Sequence, residues 1–383
     1  MNKHQILAEY ASYFTGTPLL VNAPGRINLI GEHTDYNHGF VMPAAIDKSM
    51  FLAMNKSGKP NTVKVRSSDY DQDETFNLGA SSRPFNSWRS YIQAILQELE
   101  ARSKSLSGFN CVFGSDIPVG AGMSSSAALC CGFISGMNGL FNWELSKLEI
   151  AQIAQAAEHR IGAHVGLMDQ FAVMHGKKDH VIQLDCLDHS YEYIPLELKD
   201  HSLVLINSNV KHELVDSEYN DRRVSCEKAL NQLQQLRPEI NTLRDVNMAD
   251  LQNADFLHPT DLKRVQFVLH ENHRVKQMSK ALKQSRFQEA GELLYQSHWG
   301  LSQEYQVSCP ELDLLVDLTK QEQGVLGARM MGGGFGGCSI NLVRHDELDN
   351  TILRIMEQYE QQTNITPESY MVSIEDGVKL IEE

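Results

Sequence analysis

The sequence predicts an α+β protein built from two domains. At 383 residues the chain is longer than one hydrophobic core ordinarily serves, so two domains are expected. Patterns typical of strands and of helices both occur, but they do not alternate regularly as in a parallel α/β sheet. Hydrophobic residues make up 42% of the chain and charged residues 22%, which is the composition of a folded globular protein.

The first half contains a polar stretch followed by two helices. Residues 56–85 are polar and rich in turn formers, which predicts short strands alternating with loops. Residues 87–101 carry apolar side chains at the spacing of an amphipathic helix. Ser146 and Glu149 form a capping box, in which each side chain accepts from a backbone amide at the start of a helix. A helix over 147–160 is therefore predicted.

The second half predicts one buried strand, then long helices, then another strand. Residues 202–206 form an apolar run of strand length, and helical periodicity follows between about 216 and 300. Residues 339–343 alternate like a strand. We place the N-terminal domain at residues 1–190 and the C-terminal domain at residues 191–383.

Composition excludes several classes of protein. The formal net charge is -15, which repels a nucleic-acid backbone and argues against nucleic acid as a partner. The seven cysteines are an odd number and include no C-x-x-C pair. Such cysteines are typical of a protein in a reducing compartment. The N-terminus lacks the unbroken apolar stretch of a signal peptide, and no run approaches the length of a membrane span. We expect a cytoplasmic protein that does not bind a membrane.

The first of three unusual segments, the polar segment, covers residues 24–36. From Arg26 to Tyr36 it gathers an arginine, two carboxylates, a histidine and hydroxyls beside apolar residues. Glu32 and Asp35 are acceptors when ionised and are suited to hold sugar hydroxyls. They would repel an anionic substrate, so a neutral polyol fits this segment better than a carboxylate-bearing acceptor. The polar density beside apolar residues favours a binding loop over a solvated turn.

The second, the glycine–serine segment, covers residues 118–129. Glycines let backbone amides approach an anion, and the serines are suited to cap the apolar helix that follows. The start of such a helix is a ready phosphate site. A simple capped turn is the alternative, since the chain lacks a Walker-type loop.

The third, the glycine-rich segment, covers residues 327–338. Gly332, Gly334 and Gly337 satisfy the G-x-G-x-x-G pattern, but no helix with a following acidic residue is predicted after them. A strand pattern follows instead. We therefore interpret these glycines as a turn or a ligand-covering loop, and not as a dinucleotide site.

Together and in this order, the three segments resemble the signatures of the GHMP small-molecule kinases. GRINLIGEHTDYNHGFVMP (residues 25–43) is similar to the signature of the members that phosphorylate galactose, and residues 208–212 and 217–223 are similar to the same branch. The resemblance covers residues 20–343. It implies two α+β domains with the active site in the cleft between them, and transfer of phosphate from ATP to the anomeric hydroxyl of galactose.

The resemblance also implies a role for individual residues. The sugar would be contacted by Glu32, His33, Thr34, Asp35, Gly166, Asp169 and Tyr219. The nucleotide phosphates would be bound by Gly120, Ala121, Gly122, Met123, Ser124, Ser125 and Ser126. Mg²⁺ would be held by Ser126 and Glu158, although the interval from Glu158 to Asp169 is one residue shorter than is usual in the family. Asp169 would face the reacting hydroxyl, and Arg26 would stabilise charge beside it.

Three alternatives stay open. Asp169 either accepts the proton of the hydroxyl or only orients it. The acceptor is either galactose or a related pyranose such as N-acetylgalactosamine. The protein is either a kinase or a regulator that binds the same ligands without turnover, although regulators of this family are altered in the serine-rich loop, which is intact here.

The histidine pairs His159/His164 and His270/His273 lack a third ligand for a metal. We expect no obligate protein partner.

Overall fold

A computed structural model describes residues 1–79, 87–210, 215–252 and 254–381. Over these residues the first half forms α1 (Lys3–Tyr13), β1 (Leu19–Asn28), β2 (Phe40–Val41), β3 (Pro43–Lys56), β4 (Thr62–Ser67), β5 (Gln72–Asn77), α2 (Trp88–Ala101), β6 (Phe109–Ser115), α3 (Ser125–Phe141), α4 (Lys147–Arg160), α5 (Met168–His175), β7 (His180–Asp185) and β8 (Tyr191–Pro195). The second half forms β9 (His201–Asn207), α6 (Val215–Leu236), α7 (Met248–Leu251), α8 (Pro259–Lys283), α9 (Phe287–Trp299), α10 (Pro310–Thr319), β10 (Val325–Met330), β11 (Cys338–Arg344), α11 (Leu348–Thr363), β12 (Glu368–Val372) and β13 (Lys379–Ile381).

A six-stranded sheet organises the first half, in the order β13-β1-β3-β6-β4-β5. Its centre is the long antiparallel pair of β1 and β3, whose register shifts between Pro24 and Arg26. Helix α3 packs on this pair with a side that is almost wholly apolar, from Ala127 to Met137. The shift in register lies at the start of the polar segment. The sheet therefore fixes the position from which this segment begins.

The second half is built around an antiparallel sheet in the order β10-β11-β9-β12. Strands β10 and β11 are joined by residues 331–337 and pair from Met330 with Ser339 to Val325 with Val343. A third sheet, β2-β7-β8, joins the short strand between β1 and β3 to the hairpin of β7 and β8, and it contacts α8. The glycines of the glycine-rich segment therefore occupy a strand-to-strand turn, as the sequence predicts.

The α+β class and the individual helices and strands expected from the sequence are confirmed. The helix with the capping box begins at Lys147, and Ser146 and Glu149 each bond the other's backbone amide. The strand expected over 202–206 is β9, and the amphipathic helix of 87–101 is α2. These elements were predictable because their signals are local.

The two halves are joined by buried contacts. The larger hydrophobic cluster consists mostly of first-half residues but includes Val275 and Met278 of α8. Conversely, strand β13 of the second half pairs with β1 in the six-stranded sheet of the first half. Residue 190 lies between β7 and β8, which form a hairpin, and the division at this residue stays a prediction. Within the described ranges, no helix has both the length and the apolar character needed to span a bilayer.

Candidate active site

A cavity of about 220 Å³ lies where the polar segment meets the second half of the chain. It is lined by parts of the polar segment, by the loop and start of α5, by α6 and by the glycine-rich segment: Arg26, Glu32, His33, Asp35, Gly162, Ala163, His164, Val165, Gly166, Met168, Asp169, Tyr219, Asn220, Gly332 and Gly333. Six of the seven residues assigned to the sugar line this cavity. Segments 300 residues apart in sequence thus form one site.

Asp169 and Arg26 form a two-pronged ion pair at one end of the cavity. Arg26 Nε donates to Asp169 Oδ1 at 2.6 Å, and Nη2 donates to Oδ2 at 2.8 Å. Such bidentate pairs fix geometry as well as charge. Burial alone would lower the pKa of Arg26, but the adjacent Asp169 carboxylate outweighs burial and raises it. Arg26 is therefore permanently charged and holds Asp169 in one orientation.

The same ion pair touches the glycine–serine segment. Arg26 Nη1 donates to the Gly122 carbonyl at 2.5 Å, and Ser124 Oγ donates to Asp169 Oδ2 at 2.5 Å. The Arg26 amide also donates to the Met123 carbonyl at 3.1 Å. Asp169 consequently stands between the cavity on one side and the glycine–serine segment on the other.

Asp35 faces Asp169 across the cavity and packs against Gly166. Burial, and then the charge of Asp169, raises the pKa of Asp35 to about 7. A Cβ atom built on Gly166 would lie 1.9 Å from Asp35 Oδ2, so any side chain at position 166 would displace this carboxylate. Glycine is required here because of that close approach. Two carboxylates that face one small space are suited to accept from several hydroxyls of a bound molecule.

His33 is neutral and lies at the end of a buried hydrogen-bond chain. Burial lowers the pKa of His33 to about 3. Its Nε2 lies 3.2 Å from the Gly333 carbonyl, which only accepts, so Nε2 carries the proton and Nδ1 accepts from Tyr36 at 2.7 Å. The Tyr305 hydroxyl, 2.9 Å from that of Tyr36, then donates to it. The Tyr219 ring packs 5.2 Å from the His33 ring and completes this wall.

Thr34 is placed differently from the other residues assigned to the sugar. It is fully buried, and its hydroxyl is bonded to the Gly31 carbonyl at 2.9 Å and to the Phe40 carbonyl at 2.7 Å. It does not belong to the cavity wall. Its side chain instead closes the turn that carries its neighbours.

The glycine–serine segment is an open loop with left-handed backbone. Gly120 and Gly122 have φ of +75° and +67°, which glycine adopts without strain. Val119, Gly120 and Gly122 line a second cavity of about 530 Å³ together with the glycine-rich segment. The loop leads directly into α3, whose start therefore faces the space beside Asp169.

The expectation that a serine side chain caps α3 is wrong. Ser124 occupies the cap position, but it has φ of +57°, and over the described residues no side chain caps this helix start. The reason is the left-handed backbone at Ser124, since a side chain ordinarily caps a helix from an extended residue, and the Ser124 hydroxyl is oriented by its bond to Asp169. The start of α3 is thus left without a side-chain cap.

Ser126 and Glu158 meet at the first turn of α3. Ser126 Oγ donates to Glu158 Oε2 at 3.3 Å, and Gln170 Nε2 donates to Glu158 Oε1 at 2.8 Å. Glu158 is buried, and burial raises its pKa to about 7. The Gln170 Oε1 atom is also buried and has no partner among the described residues. These are hard oxygen donors around a buried carboxylate, which fits Mg²⁺.

Within the described part of the chain, no three His, Cys, Asp or Glu side chains are grouped so that they would hold a metal ion by themselves. Mg²⁺ in nucleotide sites is commonly held by one or two protein groups, with phosphate oxygens as further ligands. The pair of Ser126 and Glu158 matches that mode of binding.

Sequence reasoning did not single out two residues that hold the polar segment in place. Arg329 of β10 and Glu271 of α8 are both fully buried and bond to residues 28–32. Arg329 lies in the glycine-rich segment, but its burial was not apparent from the sequence. Of the motif at 208–212, Lys211 and His212 lie outside the described residues.

Comparison with known proteins agrees with this geometry. The galactokinase galactose-binding signature matches residues 8–56, the GHMP kinases N terminal domain matches residues 90–177, and the GHMP kinases C terminal domain matches residues 278–361. A mevalonate kinase of Methanococcus jannaschii has a similar structure, with a TM-score of 0.68 at 17% identity over 95% of this chain and 100% of its own. The fold is that of a GHMP kinase.

More similar relatives narrow the assignment. Galactokinase of Thermosipho africanus is 40% identical over 94% of this chain and 99% of its own, and that of Fusobacterium nucleatum is 37% identical over 93% of each. The structure of Lactococcus lactis galactokinase complexed with galactose matches with a TM-score of 0.94 and 32% identity over 99% of each chain. The chain belongs to the galactokinase family.

Proposed function

We propose that the protein transfers the γ-phosphoryl group of ATP to the anomeric hydroxyl of galactose, giving galactose 1-phosphate and ADP. Membership of the family supports the reaction class, a sugar kinase. The observation that carries the proposal is the position of Asp169. It lines the cavity assigned to the sugar, and it accepts from Ser124 of the segment assigned to the phosphates. A phosphotransferase needs this adjacency of acceptor and donor sites.

Positioning and charge stabilisation account for most of the catalysis of phosphoryl transfer. Asp169 would accept, or orient, the proton of the anomeric hydroxyl. Arg26 holds that carboxylate through two hydrogen bonds and would stabilise the negative charge that develops during transfer. Glu32, His33, Asp35, Gly166 and Tyr219 would hold the sugar, with Thr34 supporting them from behind.

The nucleotide would lie along the glycine–serine segment. The backbone of residues 120–126 would bind its phosphates at the uncapped start of α3. Ser126 and Glu158 would hold Mg²⁺, which neutralises phosphate charge when it is bound. The buried Glu158 carboxylate supports this assignment, because its charge lacks a full ion pair among the described residues. We also propose that the protein acts in the cytoplasm, where ATP is available, on small molecules and without an obligate protein partner.

Turnover by the wild type and by Asp169→Asn tests the proposal. We expect galactose-dependent ADP release from the wild type, and a loss of about a hundred- to ten-thousandfold in kcat for Asp169→Asn, with binding of both substrates retained. Asp261→Asn is the matched control, because Asp261 is also buried and accepts from a serine and a cation, Ser225 and Lys228, but does not line the cavity. Its activity per folded molecule should be unchanged.

Two results would contradict the proposal. Wild-type protein that binds galactose and ATP without turnover would be a regulator. Higher kcat/KM for N-acetylgalactosamine or for another pyranose than for galactose would change the acceptor, because a buried polar site discriminates strongly against a misplaced hydroxyl.

A further inference from the structure

Arg329 is a fully buried arginine whose partners belong mostly to the polar segment. It projects from β10 with no exposed surface. Nε donates to the Leu29 carbonyl at 2.8 Å, and Nη1 donates to the Met330 carbonyl at 2.8 Å. Nη2 donates to the Asn28 carbonyl. A buried guanidinium is tolerated only when it is paired in this way, so its position is tightly determined.

The same guanidinium also contacts Glu32. Nη2 lies 3.1 Å from Glu32 Oε1, and the Gly332 amide donates to that same oxygen at 2.8 Å. The described hydrogen bonds of the Glu32 side chain therefore all end at Oε1, and Oε2 is the oxygen that is left for a molecule in the cavity. Arg329 itself is not part of the cavity wall.

We propose that Arg329 is a positioning residue for the sugar: it orients the Glu32 carboxylate so that Oε2 faces the substrate. This inference rests on the proposed function, in which Glu32 contacts galactose. The galactose dependence of the reaction should therefore depend on Arg329 although Arg329 does not touch the sugar, and the ATP dependence should not.

Glu271 supplies a contrast within the same structure. Its Oε1 accepts from the Gly31 amide at 2.9 Å and from Ser297 at 2.6 Å, and its Oε2 accepts from Arg274 at 2.6 Å. Glu271 thus anchors the backbone of the polar segment one residue before Glu32. Among the described hydrogen bonds, it makes none to the Glu32 side chain. Both anchors are buried charges from the second half of the chain, but only Arg329 reaches the carboxylate.

A double-mutant cycle separates positioning of the Glu32 side chain from general support of the loop. Arg329→Lys keeps the charge but loses the fork that reaches the carbonyls and Glu32 together. We expect it to lower kcat/KM for galactose about 10- to 100-fold in the wild type, and by less than about threefold in the Glu32→Gln background. KM for ATP should stay within about twofold of the wild type.

Glu271→Gln is the matched variant, because a glutamine oxygen can still accept from the Gly31 amide. Its effect on kcat/KM for galactose should be of equal size with and without Glu32→Gln. Thermal melting checks that each variant is folded. If Arg329→Lys does not fold, the same cycle is measured at low temperature with Arg329→Gln, which can still donate to one carbonyl.

The outcomes of the cycle are distinct. Equal losses for the Arg329 variant in both backgrounds, or equal losses in the galactose and ATP dependence, would overturn the positioning role and leave a structural one. Absence of galactose-dependent turnover in the wild type would instead remove the proposed function on which the inference rests.

Discussion

The two sides of the candidate active site are built by different means. On the side assigned to the sugar, charged and aromatic side chains are buried or half-buried, and several are held by partners from distant parts of the chain, as Glu32 is by Arg329. On the side assigned to the phosphates, the wall is mainly backbone, with glycines at positive φ and Val119 85% exposed. A neutral sugar needs oriented donors and acceptors, whereas a phosphate is satisfied by amides at a helix start.

This difference predicts where substitutions act. Side chains of the sugar side should change affinity and stability together, because they are buried and charged. Positions on the phosphate side should mainly change nucleotide or metal dependence, with losses of stability of no more than about 1 kcal/mol. Glu158 is the exception to the second statement, since it is a buried carboxylate beside Ser126.

Among the substitutions that test this difference between the two sides, Glu158→Gln should have the largest effect. Loss of the carboxylate removes the one charged ligand proposed for Mg²⁺, so we expect the Mg²⁺ concentration at half-maximal activity to rise about 10- to 100-fold. A Mg²⁺ titration of turnover at saturating galactose measures this. Glu149→Gln lies on the same helix, is exposed, and should leave the titration unchanged. Equal Mg²⁺ dependence in Glu158→Gln and the wild type would remove Glu158 from the metal site.

The second prediction concerns the stability of the sugar side. Because burial raises the pKa of Asp35 to about 7, the folded protein binds a proton there that the unfolded chain releases above about pH 4. The contribution of Asp35 to the free energy of unfolding therefore falls as pH rises from about 4 to about 7. Asp35→Asn should stabilise the ligand-free protein by about 1–2 kcal/mol at pH 8, allowing for partial solvent screening, and by less at pH 5.

Thermal melting of Asp35→Asn and the wild type at the two pH values checks this prediction. Asp188→Asn is the control, because Asp188 is exposed and its pKa is lowered by Ser190, so no gain at pH 8 is expected. A gain of equal size at pH 5 and pH 8 would show that the charge of Asp35 is not its cause. Galactose binding should weaken in the same variant, since the proposed ligand is lost.

The contrast between the two sides also explains how much the sequence could predict. The cavity residues of the polar segment lie within ten positions of one another, from Arg26 to Asp35, and their chemistry was apparent from residue type alone. The residues that hold them in place were not apparent from the sequence. Glu271 is 240 residues from the Gly31 amide that it accepts from, and nothing in the helical pattern of α8 distinguishes it from an exposed glutamate.

The wrong expectation that a serine caps α3 also arose because the partner of that serine is distant in sequence. Ser124 was expected to cap α3 because a serine before an apolar helix ordinarily does so. Its hydroxyl instead donates to Asp169, 45 residues away in sequence. Local rules predicted the helices and strands named above, and they failed at Ser124, whose left-handed backbone and bond to Asp169 depend on residues distant in sequence. This exception lies at the site, where local rules are most often overridden.

The smallest effect is expected on the phosphate side, for Gly122→Ala. Gly122 has φ of +67°, and an added Cβ would meet only the Met331 carbonyl at an ordinary 3.6 Å, so the substitution strains the backbone without a clash. Gly58, at φ of +71° with open space around it, gives the matched variant Gly58→Ala outside the site. Both should lose about 1 kcal/mol of stability in thermal melting. Only Gly122→Ala should raise KM for ATP, by about threefold to tenfold, because its carbonyl is bonded to Arg26 and its backbone shapes the loop. An unchanged KM for ATP in a variant with the expected loss of stability would mean that the backbone of this loop does not bind the phosphates, and that the two sides of the site are more alike than their construction indicates.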